Sequence, residues 1–141
     1  MDRNRLVLAA LAAAGEGATF TPVQVQKLFF LIDREMASHV DGPYFQFQPY
    51  DYGPFDRAVY ETLQGLASTG LAHISSDRSY RVYRLSVEGY QAGASILGQL
   101  SPPVQTYFRA VTSWVRRLSF KQLVASIYQR YPDMKVNSVF Q

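Results

Sequence analysis

The sequence contains no cysteine among its 141 residues. This absence excludes a disulfide framework, a thiolate metal site and a cysteine nucleophile. Histidine is also scarce, and His39 and His73 stand in no metal-binding spacing. The chain lacks a Gly-x-Ser-x-Gly elbow and a glycine-rich phosphate loop. We therefore expect a binding protein without metal or cofactor, and not an enzyme.

Long apolar runs are missing too, since no stretch approaches the roughly 20 apolar residues of a membrane-spanning helix. The apolar residues 6–14 follow Arg3 and Arg5 and so imitate a signal peptide. The acidic Asp2 argues against a signal peptide, because such a peptide begins with a basic region. The alanine-rich segment instead fits a first helix. We expect a cytoplasmic protein with no membrane partner.

Charge is sparse at 18 % of residues, and the net charge of +3 is unevenly distributed. Residues 1–70 carry five basic and eight acidic side chains, a net −3. Residues 71–141 carry nine basic and three acidic side chains, a net +6. Such a split indicates either a polar partner surface on the second half or arginines that solubilise exposed helix faces.

Hydrophobic residues (48 %) and aromatic residues (14 %) are plentiful, and they suffice to form the core of one domain. A first helix is expected over 3–14 and a second from Pro22, where Thr21 and Gln24 form a capping box. Apolar residues at helical spacing place most of the second helix in the core, and its solvent-facing edge would carry Lys27, Arg34 and Glu35.

The segment 42–55 is rich in aromatic residues. Its alternation predicts a short strand through Phe45 and Phe47 that Pro49 ends. These rings either fill the gap between helices two and three or form an adhesive surface, because tyrosine is favoured at binding hot spots. In the second case the candidate partner-binding residues are Lys27, Tyr44, Tyr50, Tyr52 and Arg57.

Downstream, a third helix is expected from Pro54 to Thr69, and Gly70 would end it. A hairpin should follow, with strands over 71–75 and 80–85. Three further helices are expected to begin after Ser86, Ser101 and Ser119, the first weakened by Gly89 and Gly93. Ser119 and Gln122 are predicted to form a second capping box at the start of the last helix. On the second of them Trp114 belongs either to the core or to a dimer seam.

Three helices followed by a hairpin is the element order of a winged helix. We therefore expect a mainly α fold, with one domain over 1–141 made of a winged-helix-like core (1–85) and a helical extension (86–141). A DNA-binding transcriptional regulator is an alternative function, with candidate contacts from Arg57, Gln64, Arg78, Arg81 and Arg84. The exposed face of the third helix carries a net −1, which disfavours phosphate contacts there.

Three short motifs stand out along the first half of the chain: Gln26-Lys27-Leu28-Phe29-Phe30-Leu31, then Tyr50-Asp51-Tyr52-Gly53-Pro54-Phe55, then Val59-Tyr60. Together they resemble the Panacea domain of SocA-type antitoxins. The likeness covers about residues 5–75, and the matching positions are Lys27, Leu28, Phe29, Tyr52, Gly53, Pro54 and Tyr60.

The resemblance implies a bacterial or phage regulatory protein that neutralises a toxin by binding it, or that adapts a partner for proteolysis. We therefore expect an antitoxin-like protein-binding module of a toxin–antitoxin or defence system, with a homodimer as one arrangement left open.

Overall fold

Helix α1 (Arg3–Ala12) lies in the centre of the molecule, and every residue from Leu6 to Ala12 is buried. The Asp2 carboxylate caps it by accepting a hydrogen bond from the Arg5 amide at 2.8 Å. The helix ends two residues before the predicted limit, ahead of Gly15, which adopts a positive φ. The computed structural model describes residues 1–77 and 80–140 of the chain.

Within these ranges the chain is mainly helical. Five further α-helices are α2 (Pro22–Met36), α3 (Arg57–Ser68), α4 (Val87–Gln99), α5 (Pro102–Arg117) and α6 (Phe120–Arg130). Two antiparallel hairpins complete the fold: β1 (Gln48–Tyr50) with β2 (Gly53–Phe55), and β3 (Ala72–Asp77) with β4 (Tyr80–Leu85). No helix in the described residues is both long enough and apolar enough to cross a membrane.

Both predicted capping boxes are confirmed. Thr21 and Gln24 cap α2 reciprocally, and Ser119 and Gln122 do the same for α6. Each box satisfies amide groups that the first helical turn leaves without a partner. These two helix starts depend only on residues three apart in the chain, which explains why the sequence indicates them.

The aromatic segment is built differently from its prediction. The strand predicted through Phe45 and Phe47 is absent there, and β1 begins at Gln48 and includes Pro49, which was expected to end it. Pro49 lies opposite Pro54 in the hairpin. Neither proline can donate a ladder hydrogen bond, so the flanking residue pairs hold the two strands.

Helix α3 starts later than predicted, because Pro54 belongs to β2 and the helix begins at Arg57. Asp56 is its N-cap: one carboxylate oxygen accepts from the Ala58 amide at 2.8 Å. The other accepts from the Gln46 amide at 2.7 Å. Asp56 thus directly follows the β1–β2 hairpin, caps α3, and fixes the loop before β1 through its hydrogen bond with Gln46.

Two of the glycines of α4, Gly89 and Gly93, are sites of close packing against neighbouring backbone. A Cβ on Gly93 would lie 2.2 Å from the Leu8 carbonyl oxygen of α1, and one on Gly89 would lie 1.9 Å from the Leu71 carbonyl oxygen. Four residues apart, both glycines share one face of α4. Glycine lowers helix propensity, but Gly93 lets α4 lie directly on the α1 backbone and Gly89 lets it lie on the backbone of Leu71.

A cluster around Glu35 ties α2 to the C-terminal helices. Its carboxylate accepts hydrogen bonds from the hydroxyls of Tyr107 (2.7 Å) and Tyr131 (2.5 Å), and it pairs with Arg130. Burial and the hydrogen bond to Glu35 raise the pKa of Tyr131 to about 12. The predicted helical extension is therefore anchored on α2 by a charged hydrogen-bond network.

Candidate functional site

An open groove of about 650 Å³ lies where the start of α2 meets the β1–β2 hairpin and the α5–α6 junction. Its walls come from five separate stretches of chain, and more than half of the lining side chains are apolar or aromatic. The lining residues are Thr21, Pro22, Val23, Gln24, Gln26, Lys27, Tyr50, Asp51, Tyr52, Gly53, Phe55, Tyr60, Tyr80, Leu118 and Phe120.

Four large aromatic side chains at the groove remain exposed to solvent: Tyr50 (55 %), Tyr52 (46 %), Tyr80 (46 %) and Phe120 (44 %). We call these four the aromatic rim. Exposed apolar side chains are common singly, but a cluster of them around a concavity is typical of a binding site.

Ring contacts hold three members of the aromatic rim, Tyr50, Tyr52 and Phe120, in place. Tyr50 stacks on Phe55 with 5.1 Å between centroids, and Tyr52 meets Phe120 edge-on at 5.2 Å. Phe55 in turn packs edge-on against Tyr60 of α3 at 5.7 Å. These contacts preorganise the rings, which lowers the entropy lost when a partner binds.

Lys27 forms the floor of the groove, with only 3 % of its surface exposed. Its placement on the solvent-facing edge of the second helix was wrong, because the β1–β2 hairpin covers this face of α2. The amine donates a hydrogen bond to the Pro54 carbonyl oxygen at 3.3 Å. Burial lowers the pKa of the Lys27 amine to about 7, since the charged form loses its water shell.

Gly53 allows the hairpin to approach Lys27. Its φ of +101° is strained for residues with a side chain. A Cβ there would stand 3.2 Å from the Tyr128 ring and 3.7 Å from the Lys27 amine nitrogen. A glycine at this position is therefore required both by backbone conformation and by space.

The electrostatics of the groove favour negative charge. The N-terminal ends of α2 and α6 both border it, and helix N-termini carry partial positive charge. An adjoining cavity of about 350 Å³ includes Arg116, whose guanidinium donates to the Thr19 carbonyl oxygen at 3.2 Å. Asp51 is the one acidic residue among the groove's lining residues in the described ranges.

Three of the five predicted partner-binding residues, Lys27, Tyr50 and Tyr52, come together in this groove. Tyr44 does not line it: its backbone amide donates to the Asp33 carboxylate at 3.0 Å, and its hydroxyl binds the Val40 carbonyl oxygen. Arg57 is exposed at the first turn of α3 and also lies outside the lining set.

The predicted nucleic-acid contacts that fall in the described residues are divided between two elements, α3 and β4. Gln64 is exposed on α3, two turns after Arg57. Arg81 and Arg84 are exposed on β4, but they are three residues apart and so point to opposite faces of the strand. Arg78 lies outside the described residues.

Sequence reasoning missed several residues of the groove. Tyr80 and Phe120 reach it from the start of β4 and the start of α6, and Gln24 and Gln26 reach it from α2. An exposed phenylalanine at the first position of α6 was the one available signal, since that turn is otherwise polar. Only the docking of α6 beside β1–β2 makes Phe120 part of a site.

Both histidines, His39 and His73, are exposed. Among residues 1–77 and 80–140, no three histidine, aspartate or glutamate side chains come together in a way that could hold a metal ion. No model of a known protein family matches the chain, and a search of curated proteins finds no relative.

Proposed function

We propose that the protein is an antitoxin-like regulatory module that binds a protein partner in the groove bounded by the aromatic rim. One observation carries the proposal: three residues chosen from the sequence as partner contacts, Lys27, Tyr50 and Tyr52, line a single preorganised groove. Large aromatic side chains dominate binding energy at protein interfaces because they bury much surface at little cost in entropy.

The residues behind the family resemblance support the same site. Lys27, Tyr52, Gly53 and Tyr60 line the groove, and the Pro54 carbonyl oxygen accepts the hydrogen bond from Lys27. Residues of motifs that stand about 25 positions apart in sequence thus lie together around the groove. A shared need for this groove is a physical reason for such motifs to occur together.

In the proposed arrangement α1, α2, α3 and the β3–β4 hairpin form a winged-helix-like core over residues 1–85, and α4–α6 form the helical extension. The groove then spans both parts, because Leu118 and Phe120 belong to the extension. The partner is a cytoplasmic toxin that the module neutralises by covering it, or a protein that it presents for proteolysis.

Co-expression with the product of the adjacent gene tests the proposal. We expect that product to arrest growth alone, to be neutralised by the wild-type chain and to co-purify with it. Tyr52→Ala should weaken the complex at least ten-fold, whereas Val87→Ala, a matched loss of an exposed apolar side chain outside the groove, should not. A harmless gene product that forms no complex would contradict the proposal.

A DNA-binding regulator is the weaker alternative. It draws support from the exposed Arg81 and Arg84 on the hairpin, whereas the exposed face of α3 carries the acidic Glu61 as well as Arg57. A gel shift measured across salt concentrations separates the two functions. Binding that falls steeply with salt and is lost in the double variant R81A/R84A would favour the regulator.

A further inference from the structure

The Lys27 amine has hydrogen-bonding capacity that the fold does not use. A protonated lysine has three N–H donors. In the described part of the chain, the Pro54 carbonyl oxygen at 3.3 Å is the one acceptor that Nζ contacts. Gly53 and Pro54 hold the amine beside the groove, so an occupant can supply further acceptors.

Because the Lys27 amine is buried, it matters whether the acceptor that an occupant supplies is neutral or charged. A lysine that is 97 % removed from solvent carries a large desolvation cost in its charged form, and an isolated neutral acceptor offsets little of it. A carboxylate within hydrogen-bonding distance offsets much more, because a charge-assisted hydrogen bond is about twice as strong as a neutral one. The N-termini of α2 and α6 add favourable potential for an anion in the same space.

From the position of Lys27 beneath the aromatic rim, we infer that the groove recognises a carboxylate carried by an apolar segment of the partner protein. The carboxylate binds the Lys27 amine, and the neighbouring apolar side chain lies between the rings of Tyr52, Phe120 and Tyr80. This inference rests on the proposed function and adds the chemistry of the segment that the partner contributes.

A peptide segment suits the groove better than a free fatty acid. The site is wide and open along its aromatic rim, and tyrosine hydroxyls at Tyr50, Tyr52 and Tyr80 offer hydrogen bonds that a peptide backbone can use and an alkyl chain cannot. The adjoining cavity with Arg116 extends the electropositive surface beyond the groove.

Recognition should also depend on pH. With a pKa of about 7, the Lys27 amine is largely neutral at pH 8.5, so a carboxylate must bind together with a proton. The ionisable groups that line the groove together with Lys27 are Asp51 and Tyr52 of the hairpin, Tyr60 of α3 and Tyr80 of β4. Tyr128 of α6 lies beside Gly53, as Lys27 does, and Lys135 lies over the Tyr128 ring. Affinity for a carboxylate should therefore fall between pH 6.5 and 8.5.

The test titrates two probes, acetyl-Phe-Glu-Leu-amide and acetyl-Phe-Gln-Leu-amide, into the ¹⁵N-labelled chain and follows the amide signals of Gln26, Gly53 and Phe55. We expect the glutamate peptide to bind at least ten-fold more tightly than the glutamine peptide at pH 6.5. The preference should shrink at least three-fold at pH 8.5. In Lys27→Met it should vanish, while Lys121→Met, which removes an exposed lysine of α6, should preserve it.

Equal binding of the two peptides by the wild-type chain, or no binding of either at several millimolar, would overturn the inference without recourse to any variant. A preference that persists in Lys27→Met would overturn it as well. Dodecanoate that binds more tightly than the glutamate peptide, with the same dependence on Lys27, would assign the groove to amphiphiles instead. None of these outcomes alters whether the adjacent gene's product forms a complex, so the proposed function is tested separately.

Discussion

The Gln26 side-chain amide forms two hydrogen bonds with the backbone of Asp56: its nitrogen donates to the Asp56 carbonyl oxygen and its oxygen accepts from the Asp56 amide, both at 2.9 Å. This pair fixes the start of α3 on α2 across 30 residues of sequence. It stands next to Lys27, and so it positions the hairpin that covers the lysine and forms one wall of the groove.

Replacing Gln26 by leucine should lower the free energy of unfolding by about 2 kcal/mol, because two partly buried backbone groups lose their partner. The matched control is Gln91→Leu on the exposed surface of α4, which should change stability by less than about 0.5 kcal/mol. Urea unfolding of both variants provides the comparison. Equal stability of the two variants would mean that the Gln26–Asp56 pair does not hold the hairpin.

Gly93→Ala should destabilise the chain by about 3 kcal/mol, since the added methyl group must displace the α1 backbone at Leu8. Gly98→Ala lies on the same helix with open space around it and should be neutral or slightly stabilising, because alanine favours helix. Thermal unfolding distinguishes the two. A Gly93 variant as stable as the Gly98 variant would show that α4 does not pack on α1 in this way.

Tyr107→Phe removes a donor from the Glu35 carboxylate and should cost about 2 kcal/mol of stability, because a hydrogen bond to a charged group is lost in a half-buried site. Tyr80→Phe, which alters an exposed hydroxyl, serves as the control. The comparison is made by chemical denaturation below pH 9, because burial and the hydrogen bond to Glu35 raise the pKa of Tyr107 and keep its hydroxyl protonated in the folded chain. A loss of equal size in the control would contradict the role of the Glu35 network.

The stability of the folded chain should depend on pH through Lys27. Its pKa is lowered from the ordinary value of 10.5 to about 7, so between these values the unfolded chain binds more protons than the folded chain. The free energy of unfolding therefore rises with pH in this window, and below pH 7 the cost of the buried charge is present in full.

Comparison with Lys27→Met isolates this effect from other titrating groups. From pH 7 to pH 9 the wild-type chain should gain about 2 kcal/mol relative to the variant, given ~1.4 kcal/mol per pH unit for one proton. Urea unfolding at several pH values measures the difference. A difference that stays constant with pH would mean that Lys27 titrates like an exposed lysine.

Local features of the fold could be predicted from the sequence because their causes are local. The capping boxes at Thr21 and Ser119 require partners three residues away, and the mainly helical content follows from apolar residues at helical spacing. The start of α3 was missed because Gly53-Pro54 fits a hairpin as well as a helix start, and only pairing with β1 decides between them.

The site could be predicted in part. The sequence placed Tyr50 and Tyr52 either in the gap between helices two and three or on an adhesive surface, and the structure shows both exposed at the groove. Lys27 was wrongly predicted to lie on the solvent-facing edge of α2, because a lysine is normally solvated. Its burial depends on contact with a hairpin that lies about 25 residues further along the chain. Phe120 and Tyr80 were missed since their proximity arises from tertiary packing alone.

Hydrogen–deuterium exchange of the chain alone and in complex with the product of the adjacent gene tests the central claim most directly. We predict that the complex slows exchange in the segments that form the groove, 21–27, 50–55 and 118–122, and that Tyr52→Ala reduces this protection together with affinity. Protection confined to the exposed face of α3 or to the β3–β4 hairpin, with 21–27 and 50–55 unchanged, would contradict it.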